Sequence, residues 1–204
     1  MIAIVKYNAG NIRSVVNALR RVGVEPVVTD SAAELRAARR VIFPGQGEAG
    51  TTMAHLQESG LGALICSLTQ PVLGICIGQQ LLCERSQEGG GTPCLGVYHG
   101  ATVQHFRSLW QGAPGDKTPH IGWNTIHSLR SPLFEGVGEG AYVYFIHSYC
   151  VPEPQWASAR SEYAGAEFSS AMQRGNFYAT QFHPEKSGAV GERILHNFIH
   201  LCHD

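Results

Sequence analysis

The chain has 204 residues, of which 44% are hydrophobic and 15% are charged. This balance is typical of a protein with a buried core, and it excludes an intrinsically disordered chain or a coiled coil. Fifteen lysines and arginines against sixteen aspartates and glutamates leave a net charge of −1, so no overall charge attracts nucleic acid or an anionic membrane. The length predicts one domain over residues 1–204. The six cysteines form no Cys-x-x-Cys pair, and the sequence has no signal-peptide pattern and no long apolar run, so we expect the protein in the reducing cytoplasm.

The first half of the chain alternates strand and helix patterns. Short segments rich in apolar residues predict strands at 2–5, 25–29, 40–43 and 71–75. Helical spacing and a capping box at Ser31 predict helices at 11–22, from Ser31, at 51–68 with breaks at Gly60 and Gly62, and at 78–85. The alternation predicts an α/β fold with a doubly wound, mainly parallel central sheet and helices on both faces. Because ligands bind beyond the carboxyl ends of such strands, we expect the site at the turns after Phe43 and Ile75.

The second half has a different pattern. A glycine-rich loop at 88–93 is followed by short β-branched and aromatic segments at 96–106, 120–128, 141–151, 156–162, 167–173 and 177–182. We interpret these as mostly antiparallel strands added to the parallel core, with a hairpin turn at 174–176 and a closing amphipathic helix at 188–202.

The most specific chemical motif is Gly-x-Cys-x-Gly around Cys76, between a predicted strand and a predicted helix. This is a nucleophile elbow with cysteine in place of serine, in which the helix N-terminus favours a thiolate. The N–H of Ile77 would then point to a developing oxyanion. The alternative is an inert buried cysteine in a strand-to-helix turn, which is the interpretation for the other five cysteines.

A thiol nucleophile needs a base and a group that orients the base. His183 follows the last predicted strand, and Glu185 lies two residues further on, within reach of the ring of His183. The turn Pro44-Gly45-Gln46-Gly47 is the candidate for a second oxyanion donor, since it lacks the Lys-Ser/Thr of a phosphate-binding P-loop.

Together, PGQGE, GICIGQQ and FHPEKSG resemble the triad-type class I glutamine amidotransferase domain over essentially the whole chain. The further motifs YNAGNIRSV, PHIGWN and YFIHSY resemble the glutaminase subunits of imidazole glycerol phosphate synthases. The resemblance implies hydrolysis of glutamine through the catalytic residues Cys76, His183 and Glu185, with no cofactor and no metal. It also implies an oxyanion hole at Gly47 and Ile77, and substrate-binding residues Gln80, Glu88, His147, Ser148 and Tyr149.

The resemblance further implies a partner, a (β/α)₈-barrel cyclase that uses the released ammonia to make imidazole glycerol phosphate and a carboxamide ribotide in histidine biosynthesis. The implied interface residues are Asn11, Arg13, Trp123, Asn124 and Lys186. We expect a heterodimer in which a peptide flip in the PGQG turn switches the oxyanion hole on when the partner is loaded.

Three departures from the usual family pattern bear on the partner rather than on the triad: residues 6–9 read KYNA, Gln79 follows the elbow, and Glu48 follows PGQG. The alternatives are therefore a subunit of another amidotransferase, such as one that makes amidino sugars for surface polysaccharide, a stand-alone cysteine hydrolase, and a non-enzymatic module with a vestigial triad.

Overall fold

The computed structural model describes residues 1–7, 12–45, 47–111 and 117–203. Within these residues the strands are β1 (Ile2–Val5), β2 (Val27–Thr29), β3 (Arg40–Phe43), β4 (Val72–Ile75), β5 (Cys83–Ser86), β6 (Thr92–Pro93), β7 (Tyr98–His105), β8 (His120–Ile126), β9 (Ala141–His147), β10 (Tyr149–Cys150), β11 (Ala157–Tyr163), β12 (Ala166–Arg174) and β13 (Phe177–Thr180). The helices are α1 (Ile12–Arg21), α2 (Ala32–Ala37), α3 (Ala49–Glu58), α4 (Leu61–Cys66), α5 (Ile77–Leu82), α6 (Phe106–Leu109) and α7 (Gly188–His200).

A seven-stranded sheet in the order β11-β12-β13-β4-β3-β1-β2 forms the centre of the fold. Its five strands from β13 to β2 are parallel, and β12 and β11 extend it antiparallel. The predicted α/β fold with a mainly parallel sheet is therefore confirmed. Because parallel strands share one direction, the ends of β3, β4 and β13 meet at the same edge, which is where the candidate site lies.

Helices cover both faces of this sheet. Alternate residues of β1 point to opposite sides, so that Ile2 and Ile4 pack in one apolar cluster, and Ala3 and Val5 pack in another. Helices α1 and α7 complete the first cluster, and α2 to α5 complete the second. This two-sided burial explains why the strands read as continuous apolar runs in the sequence.

Two smaller sheets carry the remaining strands. One has the order β10-β7-β5-β6, and the other is the hairpin of β8 and β9. The hairpin is tied to β11 by a backbone bridge, in which His127 and Arg160 exchange N–H···O bonds of 2.8 and 2.9 Å. It lies beside the turn that follows β13, where the N–H of His183 donates to the carbonyl of Tyr144.

Two sequence predictions about secondary structure are wrong. The helix predicted at 78–85 ends at Leu82, and Cys83–Ser86 forms β5 because it pairs in parallel with β7. The last strand, β13, was expected among the antiparallel additions, but it pairs in parallel with β4 as part of the core. Both errors arise from long-range pairing, which local residue patterns do not encode.

Among the described residues, each helix is too short or too polar to span a lipid bilayer.

Candidate active site

Cys76 occupies the sharp turn between β4 and α5. Its backbone has φ 54° and ψ −107°, a region that side chains other than glycine rarely adopt. Its N–H donates to the carbonyl of Thr180 at the end of β13, at 2.7 Å. Strain of this kind persists where the surroundings enforce it, and such positions concentrate at functional sites. The fold thus holds the thiol at the carboxyl edge of the sheet.

Glycines allow the neighbouring turns to approach the elbow closely. A Cβ on Gly78 would lie 2.3 Å from the carbonyl oxygen of Phe43. A Cβ on Gly45 would lie 2.0 Å from Cγ2 of Ile77 and 2.5 Å from the backbone nitrogen of Gly78. Real Cβ contacts are never this short, so both positions require glycine. The turn after β3 is thereby packed directly against the start of α5.

His183 and Glu185 complete a triad with Cys76. Their side chains are each only 2% exposed, and His183 Nδ1 lies 2.7 Å from Glu185 Oε1. The parallel pairing of β13 with β4 brings His183 beside the elbow, where His183 and Cys76 line the same cavity. Burial lowers the pKa of His183, but the hydrogen bonds and charges of Cys76 and Glu185 together raise it to about 10. A proton on this imidazole is therefore stabilised from both sides.

The backbone of His183 is fixed by strand β9. The N–H of His183 donates to the carbonyl of Tyr144 at 2.9 Å. The buried hydroxyl of Ser187 donates to the carbonyl of His183 at 2.7 Å and accepts from the N–H of Tyr144 at 3.0 Å. These hydrogen bonds join the turn that carries His183 to the outer β8–β9 hairpin.

A cavity of about 290 Å³ opens above the triad. Its lining comprises Gly45, Gly47, Cys76, Ile77, Gln80, Glu88, Ile146, His147, Ser148, Tyr149 and His183. The structure therefore brings together the two expected oxyanion residues and all five expected substrate residues. A larger cavity of about 610 Å³ lies at the amino ends of the strands, beside Arg40 and His203, and contains none of them. The smaller cavity is the candidate site, because the reactive side chains converge on it.

The sequence analysis missed Gln181, a buried neighbour of the nucleophile. Its Nε2 lies 3.7 Å from Cys76 Sγ, and its Oε1 accepts a hydrogen bond from Gln80 Nε2 at 3.0 Å. Gln80 Nε2 also donates to the carbonyl of Tyr149 at 3.0 Å. The signal in the sequence was the position of Gln181 two residues before His183, in the segment that follows β13.

One acidic side chain, Glu88, lines the cavity, and a second, Glu48, lies near it at the N-terminus of α3. Glu88 Oε2 accepts a hydrogen bond from the N–H of Ala49 at 2.7 Å, and burial raises the pKa of this carboxyl group. Glu48 caps α3 by accepting from the N–H groups of Thr51 and Gly50, and these bonds lower its pKa. Negative charge is thus available where an ammonium group of a ligand would need a partner.

Of the expected interface residues, four are described by the structure and Asn11 is not. Trp123 is 54% exposed on β8 and packs against Tyr144 with ring centroids 5.9 Å apart, while Lys186 Nζ lies 5.9 Å from the ring centroid of Tyr144. Asn124 donates from Nδ2 to the carbonyl of Glu162 at 2.8 Å. Arg13 is exposed on α1, whereas Asn11 and Gln46 of the PGQG turn lie outside the described residues.

A sequence model of the class-I glutamine amidotransferases matches residues 3–202 of the chain. The chain belongs to this family. The resemblance inferred from the three motifs is thereby confirmed.

Individual relatives agree with this assignment. The chain is 53% identical over 200 residues to the imidazole glycerol phosphate synthase subunit HisH of Bacteroides fragilis, covering 98% of this chain and 99% of that protein. It is 52% identical, with the same coverage, to the subunit HisH of Bacteroides thetaiotaomicron. Among solved structures, a glutamine amidotransferase is similar in fold, with a TM-score of 0.73 at 22% identity over 99% of both chains.

Proposed function

We propose that this chain is the glutaminase subunit of an imidazole glycerol phosphate synthase and supplies ammonia for histidine biosynthesis. The observation that carries the proposal is that Cys76 and His183 line one cavity while Glu185 Oε1 lies 2.7 Å from His183 Nδ1. This arrangement occurs in a chain that is 53% identical to a HisH subunit over nearly its full length. The amidino-sugar alternative has no comparable support.

In the first half-reaction, the thiolate of Cys76 attacks the side-chain amide carbon of glutamine. The resulting oxyanion is stabilised by the N–H of Ile77 and by a donor from the turn at Gly47, both of which line the cavity. His183 gives its proton to the amide nitrogen, so the C–N bond breaks and ammonia leaves a thioester on Cys76. Glu185 holds the imidazole in place and stabilises its charged form.

In the second half-reaction, His183 acts as a base. It takes a proton from water while the water oxygen attacks the thioester carbon. The C–S bond then breaks, glutamate leaves and the thiolate of Cys76 returns with a protonated His183. The products balance as glutamate and ammonia from glutamine and one water.

The cavity has complementary groups for both ends of glutamine. Gln80 and the backbone of 147–149 lie beside Cys76, where the carboxamide reacts. The carboxylate of Glu88 lies on the same cavity lining and suits the α-ammonium group. A position for each end fixes the amide carbon over Sγ, and such orientation lowers the barrier of the attack.

The outer face of the β8–β9 hairpin supports docking of a partner protein. Ile121 pairs with Ile146, and Trp123 pairs with Tyr144, and these side chains with the 61% exposed Tyr142 form an apolar patch. Exposed apolar patches of this kind mark interaction surfaces, and tryptophan is enriched at binding hot spots. We propose that a (β/α)₈-barrel cyclase covers this patch and receives the ammonia, because free ammonia in water is mostly protonated and then cannot act as a nucleophile.

The test compares two nitrogen sources in the complex of this chain with its cyclase. The variant Cys76→Ser should lose synthesis from glutamine and keep synthesis from ammonium salt, since only the ammonia source is removed. The matched control Cys66→Ser changes an exposed cysteine that does not line the cavity, and it should keep both activities. Loss of both activities in Cys76→Ser, with the complex still formed, would contradict the proposed division of labour.

A further inference from the structure

Two buried histidines that the mechanism does not use as acids or bases lie in the β8–β9 hairpin, and one of them, His147, lines the cavity. His120 of β8 and His147 of β9 face each other in the hairpin register, with His120 Nδ1 and His147 Nε2 3.1 Å apart. The ring of His120 is stacked between Tyr163, at a centroid distance of 3.9 Å, and Phe145, at 4.8 Å. Only 3% of His120 and 6% of His147 is exposed, so water does not complete their hydrogen bonds.

The hydrogen-bond partners determine which nitrogen of each ring carries the proton. The carbonyl of Tyr149 can only accept, so His147 Nδ1, at 2.7 Å, must donate to it. Burial lowers the pKa of His147 to about 3 and that of His120 to about 4, so both rings are neutral at neutral pH. In a neutral ring His147 Nε2 is then an acceptor, and His120 Nδ1 must donate to it. Both histidines are therefore Nδ1–H tautomers.

The carbonyl of Tyr149 connects this pair to the nucleophile. The same oxygen accepts a hydrogen bond from Gln80 Nε2 at 3.0 Å, and Gln80 is bonded in turn to Gln181. Gln181 Nε2 lies 3.7 Å from Cys76 Sγ. Tyr149 and Gln80 both line the cavity. The orientation of one carbonyl thus affects both the cavity wall and the amide groups beside the thiol.

On its other side, the histidine pair contacts Asn124 of strand β8, next to the exposed Trp123. Asn124 Nδ2 lies 3.5 Å from His120 Nε2, the nitrogen that the tautomer leaves as an acceptor, and it also donates to the carbonyl of Glu162. Thr125 N donates to Asn124 Oδ1 at 2.8 Å, which fixes the orientation of the amide. Asn124 is the neighbour of the exposed Trp123 on β8.

We infer that His120 and His147 are positioning residues for glutamine: their paired Nδ1–H tautomers hold the Tyr149 carbonyl, and with it Gln80, in the arrangement that binds the substrate. The inference rests on the proposed function for the identity of that substrate. It also connects β8, which carries the exposed Trp123, to the cavity wall through side-chain hydrogen bonds.

The first test is spectroscopic and does not depend on activity. Long-range ¹H–¹⁵N correlation spectra of the full chain at neutral pH report which ring nitrogen of each histidine is protonated. The His120→Asn and His147→Asn variants assign the two signals by their loss. We expect two neutral Nδ1–H rings. A neutral Nε2–H ring or an imidazolium at either position would overturn the inference.

The second test separates positioning from general folding in the complex with the cyclase and its nucleotide substrate. His147→Leu removes one of the two donors to the Tyr149 carbonyl and leaves the buried His120 Nδ1–H without an acceptor, so the KM for glutamine should rise about tenfold or more. In His147→Asn the amide nitrogen is bonded to Cγ, as Nδ1 is in histidine. This variant should therefore recover most of the lost affinity for glutamine. Synthesis from ammonium salt, which does not use the glutamine cavity, should remain at the wild-type rate in both. His99→Asn, at an exposed position of β7, is the control.

Two outcomes would overturn the positioning role. One is a wild-type KM in His147→Leu, and the other is a His147→Asn variant no better than His147→Leu. A wild-type complex that releases no glutamate from glutamine would instead refute the proposed function, and the tautomer measurement would still decide the geometry.

Discussion

Replacing Glu185 by glutamine removes a charge from the triad and keeps its shape. Glu185 Oε1 lies 2.7 Å from His183 Nδ1, and both side chains are almost completely buried. A buried hydrogen bond to a charged group contributes about 1.5–3 kcal/mol. If that stabilisation is lost as the imidazolium forms in the transition state, kcat/KM for glutamine should fall roughly 10- to 150-fold, since each tenfold change corresponds to about 1.4 kcal/mol.

The same substitution should alter the pH dependence in a defined direction. The charge and hydrogen bond of Glu185 help to raise the pKa of His183 to about 10. The imidazolium that protonates leaving ammonia therefore persists below this value in the wild type and is lost as the pH rises through it. Without the carboxylate the folded pKa of His183 is lower, so the alkaline fall in kcat/KM should begin at a lower pH.

The assay is glutamate release by the complex with its cyclase and nucleotide substrate, measured from neutral to alkaline pH, with thermal unfolding as the check on folding. The result that would refute the reasoning is a folded Glu185→Gln variant whose alkaline limb coincides with that of the wild type. The matched control for loss of a negative charge is Glu192→Gln on α7, which removes the exposed salt bridge between Glu192 and Arg21.

Three further perturbations test other parts of the account. Gly45→Ala places a Cβ 2.0 Å from Ile77 Cγ2, so unfolding experiments should show destabilisation of about 1–3 kcal/mol, whereas Gly138→Ala, with open space around it, should be neutral. Tyr7→Phe removes the hydroxyl that donates to the carbonyl of Pro44, so it should lower the free energy of unfolding by about 1 kcal/mol and reduce glutaminase activity in the complex. Full activity of this variant would show that Tyr7 does not support the oxyanion turn. Trp123→Ala should weaken the complex by about 2 kcal/mol or more in titrations and leave Cys76 alkylation unchanged; an unaltered Kd would exclude the β8–β9 patch from the interface.

Much of the fold could be predicted because parallel strands with two buried faces appear in the sequence as short, continuous apolar runs. The runs at 2–5, 41–43 and 72–75 are continuous and apolar, and each lies in a strand of the structure. The predicted helix wrongly includes residues 83–85, because the strand β5 that they belong to depends on pairing with β7, which follows in the chain only after a glycine-rich segment. Pairing of this kind is a tertiary effect.

The residues of the candidate site likewise divide into those that local motifs predict and those that long-range contacts determine. Cys76 and His183 could be proposed from local motifs, because both follow strand ends and such ends meet at one edge of a parallel sheet. The roles of Gln181 and His120 depend on hydrogen bonds to Gln80 and His147 that join distant parts of the chain. No spacing in the sequence encodes those bonds, since they depend on which side chains are turned inward across two packed layers.

The central claim is that the triad hydrolyses glutamine for the use of a partner protein. The most direct test measures glutamate release by the purified chain alone, then with the cyclase of the same organism, and then with the cyclase and its nucleotide substrate. The account predicts a low rate that rises sharply only with the loaded cyclase, because the oxyanion hole is completed when the partner is ready for ammonia. An equal rate under all three conditions would contradict the coupling, and no glutamate under any of them would contradict the proposed function itself.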